Sequence, residues 1–305
     1  MTQARALLGV ISPGVGRRYP SRLILRVHGL PKSTFYERQA VKRGAPITTS
    51  RGKRGPKTEH SDDELVTAIR QVITASPFSG EGHRKIRARL ALRGIMVGKN
   101  RVLRLQRLHS LLAPTRRRHE GVRREHDGKI ITERPNLCWG GDITEAMTTE
   151  DGKVSIFDII DHCTDEIIGF TVTTEANRFA ALDSLHQAVH KEFGSVAKDI
   201  ARGVLLRVDH GSQFTSRRYV NEARYLGCEP SFSFVGQPQC NGVIERWHRT
   251  LKEQLLWTRT WKNAEEVRQA VSKFVRLYNS CWLVERHGYR SPAQVRAAFA
   301  TQEAA

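Results

Sequence analysis

The stretch LLRVDHGSQFTS, residues 205–216, changes from aliphatic to polar at one carboxylate, Asp209. The aliphatic run predicts a short buried strand, and the residues after it predict a turn. Asp209 has two interpretations. It can stabilise the turn by binding its own backbone, or it can hold a metal, because ligands bind beyond the carboxyl ends of strands in open α/β sheets. The stretch alone favours the turn, so the rest of the chain has to decide.

The sequence around this stretch predicts a mixed α/β domain over residues 135–298. We expect strands at 137–148, 153–163 and 165–173, then helix 178–194, strand 203–209, helix 216–227, strand 229–234 and a helix from about 241 to 257. Three meandering strands followed by alternating helices and strands are the layout of an RNase H-like α/β domain with a mixed five-stranded sheet. This layout alone does not give a function.

Three acids fall at notable places in this layout. Asp142 lies in the first strand, Asp209 ends the fourth, and Glu245 lies one turn into the last helix. Mg²⁺ prefers oxygen ligands, and a pair of such ions can activate a water or a 3′-hydroxyl for attack on a phosphodiester. Arg249 and Lys252 share a helix face with Glu245 and could contact DNA phosphate. The alternative is an ordinary amphipathic helix with salt bridges.

The positive charge is concentrated in the first part of the chain. The net charge is +19, and residues 1–134 hold 30 of the 50 Lys and Arg but only 10 of the 31 acidic residues. This asymmetry indicates a nucleic-acid-binding segment joined to a nearly neutral one. A solubilising basic tail is the alternative, and it is disfavoured because the basic residues are interleaved with helical apolar patterns.

Apolar and turn patterns divide the chain into segments. We predict a helix-turn-helix-like segment at 1–47, a basic linker at 48–61, an all-α helix-turn-helix DNA-binding module at 62–114, a basic linker at 115–134, the catalytic core with C-terminal helices at 135–298, and a tail at 299–305. In the first segment Leu23, Ile24 and Val27 form the predicted apolar face of one helix. Ser33 is the predicted N-cap of the next helix.

The 62–114 module carries three predicted apolar stripes, formed by Leu65, Ile69, Val72 and Ile73, by Ile86 and Leu90, and by Val97, Val102, Leu105 and Leu108. Its last helix places Arg101, Arg104 and Arg107 three residues apart. Arginines at this spacing share a face that could lie along phosphates or in a major groove. For any single arginine, a solvated surface helix is the alternative.

Composition excludes several classes of protein. No apolar run is long enough to span a membrane, and the N-terminus lacks a typical cleavage site, so a cytoplasmic protein is expected. The chain has five cysteines, Cys138, Cys163, Cys228, Cys240 and Cys281. Their number is odd, they are scattered along the sequence, and no two of them form a CxxC pair. This usage argues against a disulfide framework or a zinc knuckle and predicts reduced, structural thiols.

Three motifs carry a resemblance to a known family. WGGDIT (139–144), VDHGSQFTS (208–216) and NGVIERWHRTLKEQLL (241–256) resemble the three acidic motifs of the DDE transposase/retroviral-integrase superfamily. The gap of 35 residues between the second and third acids is similar to that in OrfB-type transposases of bacterial insertion sequences related to family three. Residues 78–114 resemble the helix-turn-helix region of that group, and YRSPAQV (289–295) resembles its C-terminal ending.

The resemblance implies a transposase that cleaves insertion-element end DNA and transfers the 3′-hydroxyl into target DNA. Asp142, Asp209 and Glu245 would be the catalytic residues and the ligands of two Mg²⁺ ions, for which Mn²⁺ could substitute. Gln213 and Asn241 fall beside these acids and would position DNA or the metal-bound water. Asp161 lies at a position of the second strand where such proteins often have an acid, and it is expected to support the site rather than to bind metal.

The implied partners are the element's terminal repeats and the target DNA. The resemblance also implies a homo-oligomer assembled on DNA, a possible upstream-frame protein or fusion, no membrane, and a bacterial cytoplasmic location that is nucleoid-associated when DNA is bound. Two alternatives stay open. One is a non-catalytic DNA-binding repressor from a decayed element, and the other is an RNase H-type nuclease. The three intact acids disfavour the first, and the extensive basic modules disfavour the second.

Overall fold

The computed structural model describes residues 2–42, 59–114, 132–232 and 242–303. The chain forms two compact units, Met1–His60 and Ser61–Ala305. In the first unit, the described residues form helices α1 (Thr2–Ala6), α2 (Ser21–Val27) and α3 (Lys32–Lys42). Gly29, in the turn between α2 and α3, adopts the left-handed conformation that glycine tolerates best.

Two details predicted for this first unit are wrong. The core of the unit includes Ile24 and Leu25, while Leu23 and Val27 are exposed. In a helix of only two turns, the adjacent pair Ile24 and Leu25 reaches the core, while Leu23 before the pair and Val27 at the end of the helix lie outside it. Ser33 is also not an N-cap, because α3 begins at Lys32 and the Phe35 N–H donates to the Pro31 carbonyl.

The second unit begins with a helical module of α4 (Asp62–Ala75), α5 (His83–Leu92) and α6 (Lys99–Leu108). Ser61 and Glu64 form a reciprocal capping box at the start of α4. Seven of the predicted apolar residues are buried in one core, namely Leu65, Ile69, Val72, Ile86, Leu90, Val102 and Leu105, and Val97 packs against it. The prediction was wrong for Ile73 and Leu108, which are exposed. Leu108 is the last residue of α6, beyond the turn that faces the core.

The α/β domain is built on five strands: β1 (Cys138–Met147), β2 (Lys153–Asp161), β3 (Ile167–Thr173), β4 (Leu205–Val208) and β5 (Glu229–Phe232). Their order in the sheet is β3-β2-β1-β4-β5. The first three strands are antiparallel neighbours, and β4 and β5 continue the sheet in parallel with β1. This is the mixed five-stranded sheet of an RNase H-like domain, so the predicted fold is confirmed.

Helices cover both faces of the sheet. On one face pack α7 (Arg178–Phe193), α8 (Ser212–Thr215) and α9 (Arg217–Tyr225). On the other pack α10 (Gly242–Leu251), which continues as a π-helical turn over Lys252–Leu256, and α11 (Ala264–Cys281). A short 3-10 turn, Glu285–His287, leads to α12 (Pro292–Glu303).

The helical module packs directly on the α/β domain. Phe78 meets the rings of Phe274 and Trp282 edge-on, with ring centroids 6.2 and 4.8 Å away. The Lys85 ammonium lies 2.9 Å from the centre of the Trp282 ring. The Gln254 side chain accepts from the Ser79 N–H and donates to the Ser79 carbonyl, both at 3.0 Å. The described residues of the module and the α/β domain therefore form one compact body.

Two predictions from composition can be compared with the described residues. None of the helices in the described ranges combines the length and apolar character needed to cross a bilayer. The cysteines within these ranges, Cys138, Cys163, Cys228 and Cys281, are free, and the first three are buried. Cys240 lies outside the described residues.

Candidate active site

The sheet places Asp142 and Asp209 on neighbouring strands. Strands β1 and β4 are parallel, with Gly140 opposite Arg207. Continuing this register by two residues along each chain reaches Asp142 in β1 and Asp209 just after β4. Gly141 makes this approach possible, because a Cβ atom there would lie only 3.0 Å from Val208 Cγ1.

Asp209 begins a tight turn, as the first interpretation of the sequence predicted. Its Oδ1 accepts a hydrogen bond of 2.9 Å from the Gly211 N–H. A Cβ atom at Gly211 would lie 2.4 Å from Nε2 of Gln213 and 3.0 Å from Asp209 Oδ1. The glycine therefore lets the Gln213 amide fold back toward the Asp209 carboxylate. The turn and a binding role are compatible, since Oδ2 of Asp209 takes no part in this bond.

Helix α10 presents Glu245 on its outer side. Ile244, Trp247 and Leu251 are buried against the sheet, as their spacing predicts, so Glu245 and Arg249 lie on the exposed side. Partial burial and the negative charge of Asp142 raise the pKa of Glu245, while Arg249 and neighbouring cations oppose this rise. The negative charge of Asp142 thus disfavours ionisation of Glu245.

A buried histidine contacts Asp142 from the same helix. Nδ1 of His248 lies 3.4 Å from Asp142 Oδ2, and Nε2 lies 3.1 Å from Asp158 Oδ2. Asp158 stands directly opposite Asp142 in the antiparallel register of β1 and β2. Burial alone would lower the pKa of His248, but its hydrogen bonds to Asp142 and Asp158 outweigh burial and raise the pKa to about 9. His248 is therefore a cation at neutral pH.

Sequence reasoning missed both Asp158 and His248. Both could have been identified from the sequence. His248 is three residues after Glu245 on the same predicted helix, and a hairpin between the first two predicted strands brings position 158 opposite position 142. Asp161, which drew attention instead, is completely buried and accepts the N–H groups of Cys163 and Thr164. It stabilises the turn after β2.

Comparisons with known proteins agree with the fold. Residues 132–238 and 226–292 match two models described as integrase core domain, and residues 60–119 match an HTH-like domain. The chain belongs to the DDE transposase and integrase superfamily. Within it, the chain resembles the OrfB type of transposase, as its motifs predict, and it is a polynucleotidyl transferase-type enzyme.

Two transposases and one solved structure illustrate the similarity. The transposase for insertion sequence element IS629 of Shigella sonnei is 27% identical over 276 residues, which cover 88% of each chain. Transposase InsD of insertion element IS2 from Escherichia coli is 25% identical over 248 residues, covering 79% of this chain and 81% of InsD. The catalytic core domain of BIV integrase is 20% identical and covers 56% of this chain and 99% of that chain, with a TM-score of 0.41.

The predicted donor set, Asp142, Asp209 and Glu245, consists of carboxylates. In the described ranges, no group of three or more His, Cys, Asp or Glu side chains is gathered closely enough to hold a metal ion. Both carboxylate oxygens of Asp142 already have partners. Oδ2 contacts His248, and Oδ1 accepts a hydrogen bond from the Ile143 N–H. The repulsion between Glu245 and Asp142 is nevertheless a charge arrangement that a divalent cation would relieve.

The residues predicted to contact DNA lie in two regions. Arg249 and Lys252 follow Glu245 on α10 and its π-helical turn, and Arg249 is exposed. In the helical module Arg107 is exposed, but Arg101 and Arg104 both contact Asp62. Asn241 lies outside the described residues.

Proposed function

We propose that this transposase cleaves the end DNA of its element and joins the freed 3′-hydroxyl to target DNA at a site formed by Asp142, Asp209 and Glu245. The observation that carries the proposal is the register of β1 and β4, which brings Asp142 beside Asp209 just beyond β4, together with the charge of Asp142, which raises the pKa of Glu245 on α10. Carboxylate oxygens are the ligands that Mg²⁺ and Mn²⁺ prefer. The three acids would hold two such ions.

When bound, the two ions would activate the attacking water or hydroxyl and stabilise the leaving oxygen. Side chains of the protein would hold the acids in place and bind the DNA. His248 holds Asp142 from one side, and the Gln213 amide beside Asp209 can donate to DNA or to an attacking water. Arg249 and Lys252 extend a basic strip from Glu245 that can bind the phosphates of the reacting strand. Because water or hydroxyl is the nucleophile, no covalent protein–DNA intermediate forms.

The helical module would hold the element's terminal repeat. Its contacts with the α/β domain at Phe78, Lys85 and Ser79 support a fixed distance between the bound repeat and the site. Cutting two ends and joining them to one target requires more than one active site, so we propose a homo-oligomer on DNA. An upstream-frame protein or fusion would complete the recognition of the ends.

The test is a cleavage and strand-transfer assay with Mg²⁺ on labelled DNA from the element's ends. The wild type should give joined products, while Glu245→Gln and Asp209→Asn should reduce them by more than about 100-fold, since loss of a metal ligand exceeds the effect of losing its supporting residues. Both variants should still shift the DNA in a gel. The matched control is Glu265→Gln, the same change at an exposed glutamate of α11, which should keep full activity. Mg²⁺-dependent strand transfer by Glu245→Gln would refute the assignment.

A further inference from the structure

Two of the three arginines on α6 are engaged by one carboxylate of the same module. Asp62 is the first residue of α4. Its Oδ1 accepts from Nε and Nη2 of Arg101 at 3.0 and 2.8 Å, and its Oδ2 accepts from Nη2 of Arg104 at 2.7 Å. Hydrogen bonds from Arg104 and then Arg101 hold the pKa of Asp62 below its ordinary value, so it stays ionised.

This arrangement has the form of an arginine–phosphate contact. Guanidinium groups bind phosphate through the same charge-assisted N–H donors that they offer to a carboxylate, and one oxyanion can receive two of them. Asp62 therefore occupies the donors with which Arg101 and Arg104 would bind a DNA phosphate.

The cluster lies at the surface and can open. The side chains of Arg101, Arg104 and Asp62 are 22%, 53% and 33% exposed. Ion pairs of this exposure stabilise a fold by about 0–1 kcal/mol each, because solvent screens them. Exchange of the Asp62 carboxylate for a phosphate therefore costs little free energy.

A purely structural role does not account for the cluster. Helices α4 and α6 are already joined by buried aliphatic side chains, among them Leu65, Ile69, Val102 and Leu105. The N-terminus of α4 is already satisfied by Ser61 and Glu64 through their capping box. Asp62 belongs to neither that core nor the capping box. Its charge favours the first turn of α4, but its described side-chain hydrogen bonds go to the two arginines.

We propose that Asp62 is a specificity-determining residue, which competes with backbone phosphate for Arg101 and Arg104. Contacts to phosphate supply most non-specific DNA affinity, whereas contacts to base edges distinguish sequences. An internal competitor weakens most those complexes that rely on phosphate contacts alone. A cognate complex is also held by base contacts, so it depends less on the release of Arg101 and Arg104 from Asp62. The inference rests on the proposed role of the helical module in holding element-end DNA.

The test compares Asp62→Asn with Asp63→Asn in the full chain. Asp63 is the exposed neighbour on the same helical turn, so both variants change the net charge equally and differ in the contact to the arginines. Binding to a duplex of unrelated sequence is titrated between about 50 and 200 mM salt. At the lowest salt concentration, Asp62→Asn should bind this duplex about tenfold more tightly than Asp63→Asn. The slope of log K against log salt should also be steeper by roughly 1–2, because each arginine released from Asp62 can contact one more phosphate.

Affinity for the element-end duplex should rise less, so the ratio of specific to non-specific affinity falls in Asp62→Asn. Adding Arg104→Gln to Asp62→Asn should remove a large part of the gain, which shows that it acts through that arginine. Thermal unfolding of each variant verifies that it is folded. Equal affinities and slopes for Asp62→Asn and Asp63→Asn would overturn the proposal, as would a loss of binding to both duplexes. Failure of the catalytic assignment would appear separately, as strand transfer by Glu245→Gln, because the DNA titrations require no catalysis.

Discussion

His248 lies between two carboxylates that would otherwise face each other. Asp142 and Asp158 are directly opposite on β1 and β2, a position at which like charges destabilise a sheet. Asp158 is completely buried, and within the described residues its Oδ1 has no hydrogen-bond partner, so His248 is its main compensating charge. The histidine is thus needed for the sheet to carry an acid at Asp142.

Replacing His248 by Gln should therefore destabilise the protein. The substitution leaves a buried charge at Asp158 without its cation, and breaking such a pair lowers the free energy of unfolding by about 3 kcal/mol. In the double variant His248→Gln/Asp158→Asn that charge is gone, so the loss should be at least about 1 kcal/mol smaller than the sum of the two single losses. Urea unfolding followed by tryptophan fluorescence measures all four proteins. Strict additivity would show that the pair is not coupled.

Sequence alone indicates three candidate acids but not which side chains contact them. Asp142, Asp209 and Glu245 each stand in a recognisable local context, a strand, a strand end and a helix. The contact of His248 with Asp142 and Asp158 joins a helix to two strands, and it depends on the rotation of α10 over the sheet. The spacing of residues along the sequence does not predict how α10 is rotated over the sheet.

Helix α7 approaches the sheet unusually closely at Gly169. A Cβ atom on Gly169, in β3, would lie 2.2 Å from the Ser184 carbonyl oxygen and 2.9 Å from the Ala188 nitrogen. Both atoms belong to the backbone of α7, which cannot move aside as a flexible side chain could. The small side chains of Ser184 and Ala188 permit the approach, and the absence of a side chain at Gly169 completes it.

Gly169→Ala should force α7 away from β3. Overpacking of this kind lowers the free energy of unfolding by about 1–3 kcal/mol. The matched control is Gly242→Ala at the first position of α10, where a Cβ atom would meet nothing within 4 Å. The control should change stability by less than about 0.5 kcal/mol or raise it slightly, because alanine restricts the unfolded chain. Chemical unfolding of both variants tests this, and equal losses would contradict the close-packing argument.

The strands and helices could be predicted because their apolar periods are clear, but several of their ends could not. Strand β2 was expected to reach residue 163, yet it ends at Asp161, whose carboxylate accepts the N–H groups of Cys163 and Thr164 and turns the chain. Periodicity continues through such a turn, since Cys163 is also buried. The same limit applies to Leu108, where the pattern is helical but the helix ends.

At the scale of the whole molecule, basic residues near the C-terminus bind acids in the turn between β2 and β3 and in α7. Arg296 of α12 contacts Glu166 and Glu192, and Arg286 donates to Asp165 Oδ2 at 2.7 Å. The sequence motif YRSPAQV marks this segment, and within it Ser291 caps α12 and Val295 is buried. The motif could be recognised from sequence. The acidic partners of the flanking Arg286 and Arg296, more than 100 residues earlier in the chain, could not.

Asp165 gives this connection a dependence on pH. Burial opposes its ionisation, but hydrogen bonds and charge from His287 and Arg286 outweigh burial and hold the pKa of Asp165 below its ordinary value of 3.8. A carboxyl whose pKa is depressed by folding stabilises the protein above its unfolded pKa, and this contribution is lost as the pH falls through the folded value. The contribution is therefore complete at neutral pH and disappears below about pH 4.

Asp165→Asn should lower the free energy of unfolding at pH 7 by about 2 kcal/mol, since it removes the charge from a buried hydrogen-bonded pair. Its difference from the wild type should shrink as the pH falls below about 4, where the carboxyl becomes protonated in the unfolded chain, and should vanish below the lower pKa of the folded protein. Asn is a suitable replacement because Asp165 has a φ of 60°, which asparagine tolerates. Asp199→Asn is the matched control. Asp199 has a φ of 59° but an exposed ion pair with Arg202, so its loss should be under about 1 kcal/mol. Urea unfolding of the wild type and both variants between about pH 3 and 7 measures these differences. If the difference in unfolding free energy between Asp165→Asn and the wild type stayed constant down to about pH 3, the charge of Asp165 would not stabilise the C-terminal connection.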